Sequence, residues 1–146
     1  MSANTAKDAV TKIVDARASA LATGNVAAVL EPLAGDAVVY DLQPPLAFAG
    51  AAARDAAGLH AWLKTWKSPP KLELHDPRVF ADGDLAVVHG LSRLRGEKIG
   101  EGAVDLWFRS TFVLRRSGNG WAIVHEHNSV PMKMDGSGLA AVDLKP

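Results

Sequence analysis

The stretch that most limits what this chain can fold into runs from Asp105 to Pro131. It reads D-L-W-F-R-S-T-F-V-L-R-R, then S-G-N-G, then W-A-I-V-H-E-H-N-S-V-P. Two runs rich in β-branched and aromatic residues around a Ser/Gly/Asn turn predict a β-hairpin. Side chains alternate across a strand, so the hairpin has two faces. With Arg116 opposite Trp121, one face collects Leu106, Phe108, Ser110, Phe112, Leu114, Trp121, Ile123, His125, His127 and Ser129. The other collects Asp105, Trp107, Arg109, Thr111, Val113, Ala122, Val124, Glu126 and Asn128. Both faces carry apolar bulk, so both are expected to be covered. The second also carries Arg109 with Glu126 and Asn128, which points to a partly dry polar pocket.

Upstream, the Ala-rich segment Ala6 to Ala22 has helical spacing, with Thr5 as N-cap and Gly24 as stop. A short second helix is expected from Val26 to Leu33, ended by Gly35, followed by a strand from Ala37 to Leu42 that Pro44-Pro45 ends. A third helix is expected from Ala51 to Trp66, with Leu59, Trp62, Leu63 and Trp66 as its apolar stripe. After Ser68-Pro69-Pro70 the pattern is strands only: Leu72 to Phe80, Leu85 to Arg95, a charged loop from Gly96 to Gly102, then the hairpin. The tail 132–146 reads as ordered only by a partner. Helices that segregate from a meander predict an α+β fold, with helices on one face of a curved sheet and an open mouth suited to a small ligand.

The 146 residues suit one domain, 1–146, with an ordered core at about 6–131. Sixteen basic residues balance sixteen acidic ones, which removes the electrostatic case for nucleic acid or an anionic membrane. Cysteine is absent, so disulfides and thiolate chemistry are excluded. No stretch approaches the roughly 18 apolar residues of a membrane span, and the N-terminus lacks a signal-peptide run. A soluble, cytoplasmic protein is the expectation.

The closing run G-W-A-I-V-H-E-H-N-S-V-P resembles the last strand of SnoaL-like proteins, within the wider superfamily of nuclear transport factor 2 and the ketosteroid isomerases. The stretch G-N-V-A-A-V-L-E-P-L-A-G-D-A-V-V-Y-D is similar to that superfamily's second helix and first strand, and F-A-G plus a helix follows as it does there. The likeness spans about residues 6–131. It implies a cone-shaped, cystatin-like curved antiparallel sheet wrapped around three N-terminal helices, commonly dimeric, with Val124, Glu126 and Asn128 facing into the cone. Phe108, Phe112, Trp121, His125 and His127 would then pack between subunits or under loops. The steroid isomerases' catalytic base corresponds to Asp41. Their oxyanion tyrosine falls at Arg17 and their second acid at Thr111, so steroid isomerisation itself is not expected.

The candidate site is therefore Asp41, Arg109, Glu126 and His89, with Arg17, Trp62, Trp107, Thr111, Val124 and Asn128 around the ligand. Asp41 is either a general base raised by desolvation or an aspartate that caps its own turn. Arg109 and Glu126 either hold and protonate a substrate or neutralise each other. His89 falls opposite Arg109 if Gly90 faces Phe108, and then is either an acid/base or a core histidine. His125 and His127 lack a third ligand, so no metal is expected. Tyr40 points outward by alternation; it, Trp62, Trp66 and Trp107 read as core, with one or two reaching the pocket.

Three functions fit: a cofactor-free enzyme of isomerase, cyclase or hydratase type on a small organic molecule, neutral or anionic; a non-catalytic binding module; or an interaction protein using the convex sheet face. A homodimer through the sheet's outer face is expected, on the ground that Phe108, Phe112 and Trp121 are too apolar to leave in water.

Overall fold

The computed structural model describes residues 2–146. Helix α1 spans Ala3–Ala22. It starts earlier than the Ala-rich pattern suggests because Ser2, not Thr5, is the N-cap: its hydroxyl accepts the Thr5 N–H at 3.3 Å. Ala6, Val10, Val14 and Leu21 form its buried stripe. Gly24, at φ 71°, takes the left-handed conformation that closes the helix. Asn25 caps α2, Val26–Leu30, accepting the Ala28 N–H. The expected third helix is two pieces, a 3-10 turn at Gly50–Arg54 and α3 at Ala56–Leu63. Asp55 divides them, because its carboxylate accepts the Gly58 N–H at 3.0 Å and restarts the helix.

The strands are β1 (Leu33–Tyr40), β2 (Phe48–Ala49), β3 (Lys71–Asp82), β4 (Leu85–Lys98), β5 (Gly102–Ser117) and β6 (Gly120–Ser129). They form one sheet in the order β2-β1-β6-β5-β4-β3; β1 runs parallel to β6, and the other neighbours are antiparallel. β1 begins at Leu33 rather than Ala37, because Leu33 already pairs with Ile123 and the Ile123 N–H donates to the Pro32 carbonyl. The segment 96–102, expected as a charged loop, is largely ladder: β4 and β5 stay paired out to Lys98↔Gly102. Pairing β4 two residues further along β5 than expected sets Gly90 opposite Ser110 and His89 opposite Thr111. Beyond Pro131 the chain turns back, with Met132 bridged to Ala140 and the Ala141 N–H on the Pro131 carbonyl.

Arg116 pairs with Trp121 as expected, but the strict alternation of the hairpin does not survive. Leu114 pairs with Ile123 and Val113 with His125, so Val124 is an extra residue, a β-bulge. One inserted residue reverses facing for everything beyond it. Glu126 and Asn128 therefore come opposite Phe112 and Ser110, while His127 comes opposite Thr111 and Ser129 opposite Arg109.

Burial decides which face is inside. Phe108, Phe112, Leu114, Trp121 and Ile123 are buried, and the last four pack with Val10, Val14, Val39 and Val88 in the core beneath α1. This corrects the expectation that Phe108, Phe112 and Trp121 face a second subunit, because they already fill the cone of their own chain. It also corrects the shared face of Arg109, Thr111 and Trp107 with Glu126, since those three lie on the outer face.

Candidate functional site

On the inner face the polar groups form a directed chain. The Ser110 hydroxyl donates to Asn128 Oδ1 at 2.7 Å, and Ser92 and Ser110 Oγ lie 2.6 Å apart. Ser110 has one proton, already given to Asn128, so Ser92 is the donor in the second bond. Asn128 Nδ2 in turn donates to Glu126 Oε1 at 3.2 Å. From the helical side, Arg17 Nη2 reaches Glu126 Oε2 at 3.4 Å, and Arg17 Nε donates to the Val29 carbonyl at 2.9 Å. The guanidinium sits over Phe112, 5.9 Å from the ring centroid. Arg17 and Glu126 side chains are only 13% and 14% exposed, so their pairing answers a real desolvation cost.

Asp41 follows β1 and completes the cluster at its rim. The residue is exposed, and its Oδ1 accepts the Leu42 N–H at 2.8 Å. Burial of the carboxyl nevertheless raises it above its ordinary value. The Leu42 N–H works against that rise, the Glu126 charge adds to it, and the Asn128 amide and Arg17 oppose it. The Asn128 amide thus donates to Glu126 and lies near Asp41, while Ser110 holds its oxygen. The turn-capping and base readings of Asp41 are compatible, since the backbone bond occupies one oxygen.

The cone therefore unites Asp41, Glu126, Asn128 and Arg17, and it excludes Arg109, His89, Thr111 and Trp107. Arg109 donates to Ser129 Oγ at 3.2 Å on the convex side, which removes it as partner of Glu126. His89 stacks on Phe80, with centroids 5.8 Å apart. Trp107 packs against His75 and beneath Arg93, on the outer face. Thr111 cannot stand where a second acid would, because the inward position at that level belongs to Ser110. Val124 supplies the bulge. Trp62 is half-buried and packs edge-on against Trp66, 5.4 Å away. His125 and His127 face outward around Tyr40, and His125 Nδ1 lies 2.7 Å from the Val38 carbonyl. Among the described residues, no three His, Asp or Glu are grouped as for a metal ion.

Ser92 and Ser110 are the site residues that the alternation argument missed. The signal was present: Trp121-Ala122-Ile123-Val124 is an unbroken apolar run in β6, and such a break in alternation is what a bulge leaves in a sequence.

With that geometry in hand, comparison with known proteins is informative. The SnoaL-like domain family matches residues 10–133. The chain belongs to that family. An NTF2-like protein of unknown function from Pseudomonas putida KT2440 is 29% identical over 98% of each chain, with a TM-score of 0.85. An NTF2-like protein with a cystatin-like fold from Novosphingobium aromaticivorans is 19% identical, covering 94% of this chain and 87% of that one, at TM-score 0.71. A ketosteroid isomerase-like protein from Erwinia carotovora atroseptica SCRI1043 is 20% identical, covering 86% and 96%, at TM-score 0.70. A search of curated proteins gives no match. In this SnoaL-like protein the α+β fold and the superfamily are thus as the sequence resemblance implied. No helix is long and apolar enough to cross a membrane.

Proposed function

We propose that this SnoaL-like protein holds a small organic molecule at the mouth of its cone and transfers a proton on it without a cofactor. Asp41 takes the proton, and Arg17 with Asn128 offers donors to the oxygen where charge develops. One observation carries this: at the rim of the cone Asp41 stands beside a second carboxylate, Glu126, which the Asn128 amide and the Arg17 guanidinium hold. Burial also raises the Asp41 carboxyl above its ordinary value, which matches a base better to neutral pH. The cluster has two carboxylates and one guanidinium, and that guanidinium is engaged by Glu126. Its charge favours a neutral carbonyl or hydroxyl compound over the anion that Arg109 suggested from sequence. Isomerisation, cyclisation and hydration all begin from such a proton transfer.

A second reading has its own support. Arg17 already bonds both Val29 and Glu126, so the cluster is satisfied by itself and suits a non-catalytic binding module. Exchange of α-hydrogens for solvent deuterium, followed by proton NMR over a panel of small ketones, enones and lactones, separates the two. The enzyme reading expects accelerated exchange with the wild type, lost in Asp41→Asn while ligand-induced stabilisation persists. Stabilisation without exchange in the wild type selects the binding module. Neither effect from any compound removes both.

We propose further that the protein is cytoplasmic and pairs with a second copy through its outer sheet face. The support is now Tyr40, Phe80 and Leu85, exposed at 41%, 60% and 45%, rather than the buried aromatic residues. Light scattering that gives a monomer across the micromolar range would remove the dimer.

A further inference from the structure

The match to the SnoaL-like family ends at residue 133, and the segment beyond it has a structure of its own. Past the end of β6 the Lys133 N–H donates to the Leu139 carbonyl and the Ala141 N–H to the Pro131 carbonyl, each at 2.8 Å. Asp135 ties the turn between them, its Oδ1 accepting the Ser137 N–H at 2.9 Å. Ala141 is buried at the root of this small hairpin. Residues 142–146 then run onto the outer sheet face. Pro146 lies in a groove there beside His75, His89, Trp107 and Arg109. Asp105, held below the ordinary carboxylate value chiefly by its bonds to Arg93, also feels the Lys145 charge.

This tail does not bury its own apolar side chains. Met134 is 89% exposed, and Met132, Leu139, Val142 and Leu144 are exposed as well. A lone two-stranded hairpin is marginal in water unless an apolar face is covered. Five large apolar side chains within 132–146 are such a face, left open.

The rest of the outer sheet face has the shape to meet it. The tail lies at the level of Asp105, Trp107 and Arg109 on β5. At the other end of the face, Val113 pairs with Val87, Val87 with Phe80, and Arg115 with Leu85. Phe80 and Leu85 are exposed there. The face is therefore raised at one end, and open and apolar at the other. A twofold axis makes such a step self-complementary, because each end of one copy meets the opposite end of the other. Thr111 lies midway along β5 between Trp107 and Arg115, and β6 and β4 are the neighbours of β5. An axis normal to the sheet at Thr111 exchanges β6 for β4 and the raised end for the open one. The tail, which continues β6, then faces Leu85 and Val87 of the other copy.

We propose that residues 132–146 are a dimerisation arm: the apolar tail of each copy covers the open end of the other copy's outer sheet face, around Leu85 and Val87. This rests on the pairing through the outer face proposed above, and it names the segment that holds that pairing together.

The chain has no cysteine, so introduced ones report the arrangement alone. Met134→Cys and Leu85→Cys, both at exposed positions, are prepared separately, mixed, and treated with a short bismaleimide. A cross-linked dimer is expected from the mixture and from neither variant alone. The axis at Thr111 keeps like positions roughly 25 Å apart, at about 3.3 Å per residue. In sedimentation equilibrium, Met134→Ser/Leu139→Ser/Leu144→Ser should raise the dimer dissociation constant at least tenfold with an unchanged circular dichroism spectrum. A wild-type dimer that this triple variant leaves unweakened would overturn the arm and leave the pairing standing. So would a mixture that gives no cross-link, or Met134→Cys alone cross-linking as readily, which would set tail on tail. A wild-type chain that stays monomeric across the micromolar range would remove the pairing itself, and the arm with it.

Discussion

Removing the Ser110 hydroxyl breaks two bonds at once, to Ser92 at 2.6 Å and to Asn128 Oδ1 at 2.7 Å. Ser110 and Ser92 are 2% and 3% exposed, so water does not replace the lost partner freely. In Ser110→Ala, the Ser92 proton and Asn128 Oδ1 are both orphaned. Each buried orphan costs roughly 1–3 kcal/mol, so a loss of about 2–4 kcal/mol is expected. Ser92→Ala removes only the far end of the chain. Ser110 keeps its acceptor, and the loss should be about 1 kcal/mol. The double variant is the informative one. Deleting Ser92 as well removes the orphan that Ser110→Ala created, so the pair should cost no more than Ser110→Ala alone. The non-additivity would be about 1–2 kcal/mol. Urea unfolding followed by Trp fluorescence gives all four stabilities, provided that the m-values agree. Additive losses, or a larger loss from Ser92→Ala than from Ser110→Ala, would refute the donor order Ser92 to Ser110 to Asn128.

Two further expectations follow from the same cluster. Burial raises the Asp41 carboxyl above its ordinary value, so the folded state holds that proton more tightly than the unfolded chain does. Its contribution is fully present below the ordinary carboxylate value and is lost as pH rises through the raised one. Asp41→Asn, which keeps an oxygen for the Leu42 N–H, should therefore stabilise the protein at neutral pH, with the gain shrinking toward acid pH. Denaturation curves showing no gain, or one independent of pH, would contradict this. Deleting Val124 removes the bulge and lets Ile123 and His125 pair with Leu114 and Val113 in an unbroken ladder, so Glu126 should stay inward. The deletion should therefore cost only about 1 kcal/mol in unfolding experiments, close to Val124→Ala. A loss of about 3 kcal/mol or more, as expected for a buried carboxylate parted from Arg17, would mean that the bulge is needed to seat Glu126.

Part of the architecture was legible from local chemistry. Gly24 was read as the stop of α1 and takes the left-handed position there, whereas the N-caps Ser2, Asn25 and Asp55 were not read, although they too are local. The S-G-N-G turn and its flanking β-branched runs set the β5–β6 hairpin and its first register pair. The match of Asp41 to a strand end likewise needed only neighbouring residues. These are short-range effects, and a sequence states them directly.

The facing of the site residues was not of that kind. Alternation carries Glu126 to the side of Arg109, and only a bulge at Val124 sends it to Arg17 instead. The bulge puts Glu126 and Asn128 on the inner face in place of His125, His127 and Ser129, and their partners there are Arg17 of α1 and Ser110 of β5, a comparison that requires α1 and the whole sheet to be in place. The offset of β4 along β5 is of the same long-range kind, and it places His89 by Thr111. Sequence by itself determined the elements and the polar residues available to them. Tertiary packing decided which of those residues share the cone and which share the groove behind it, because the sign of a strand's facing depends on a single inserted residue.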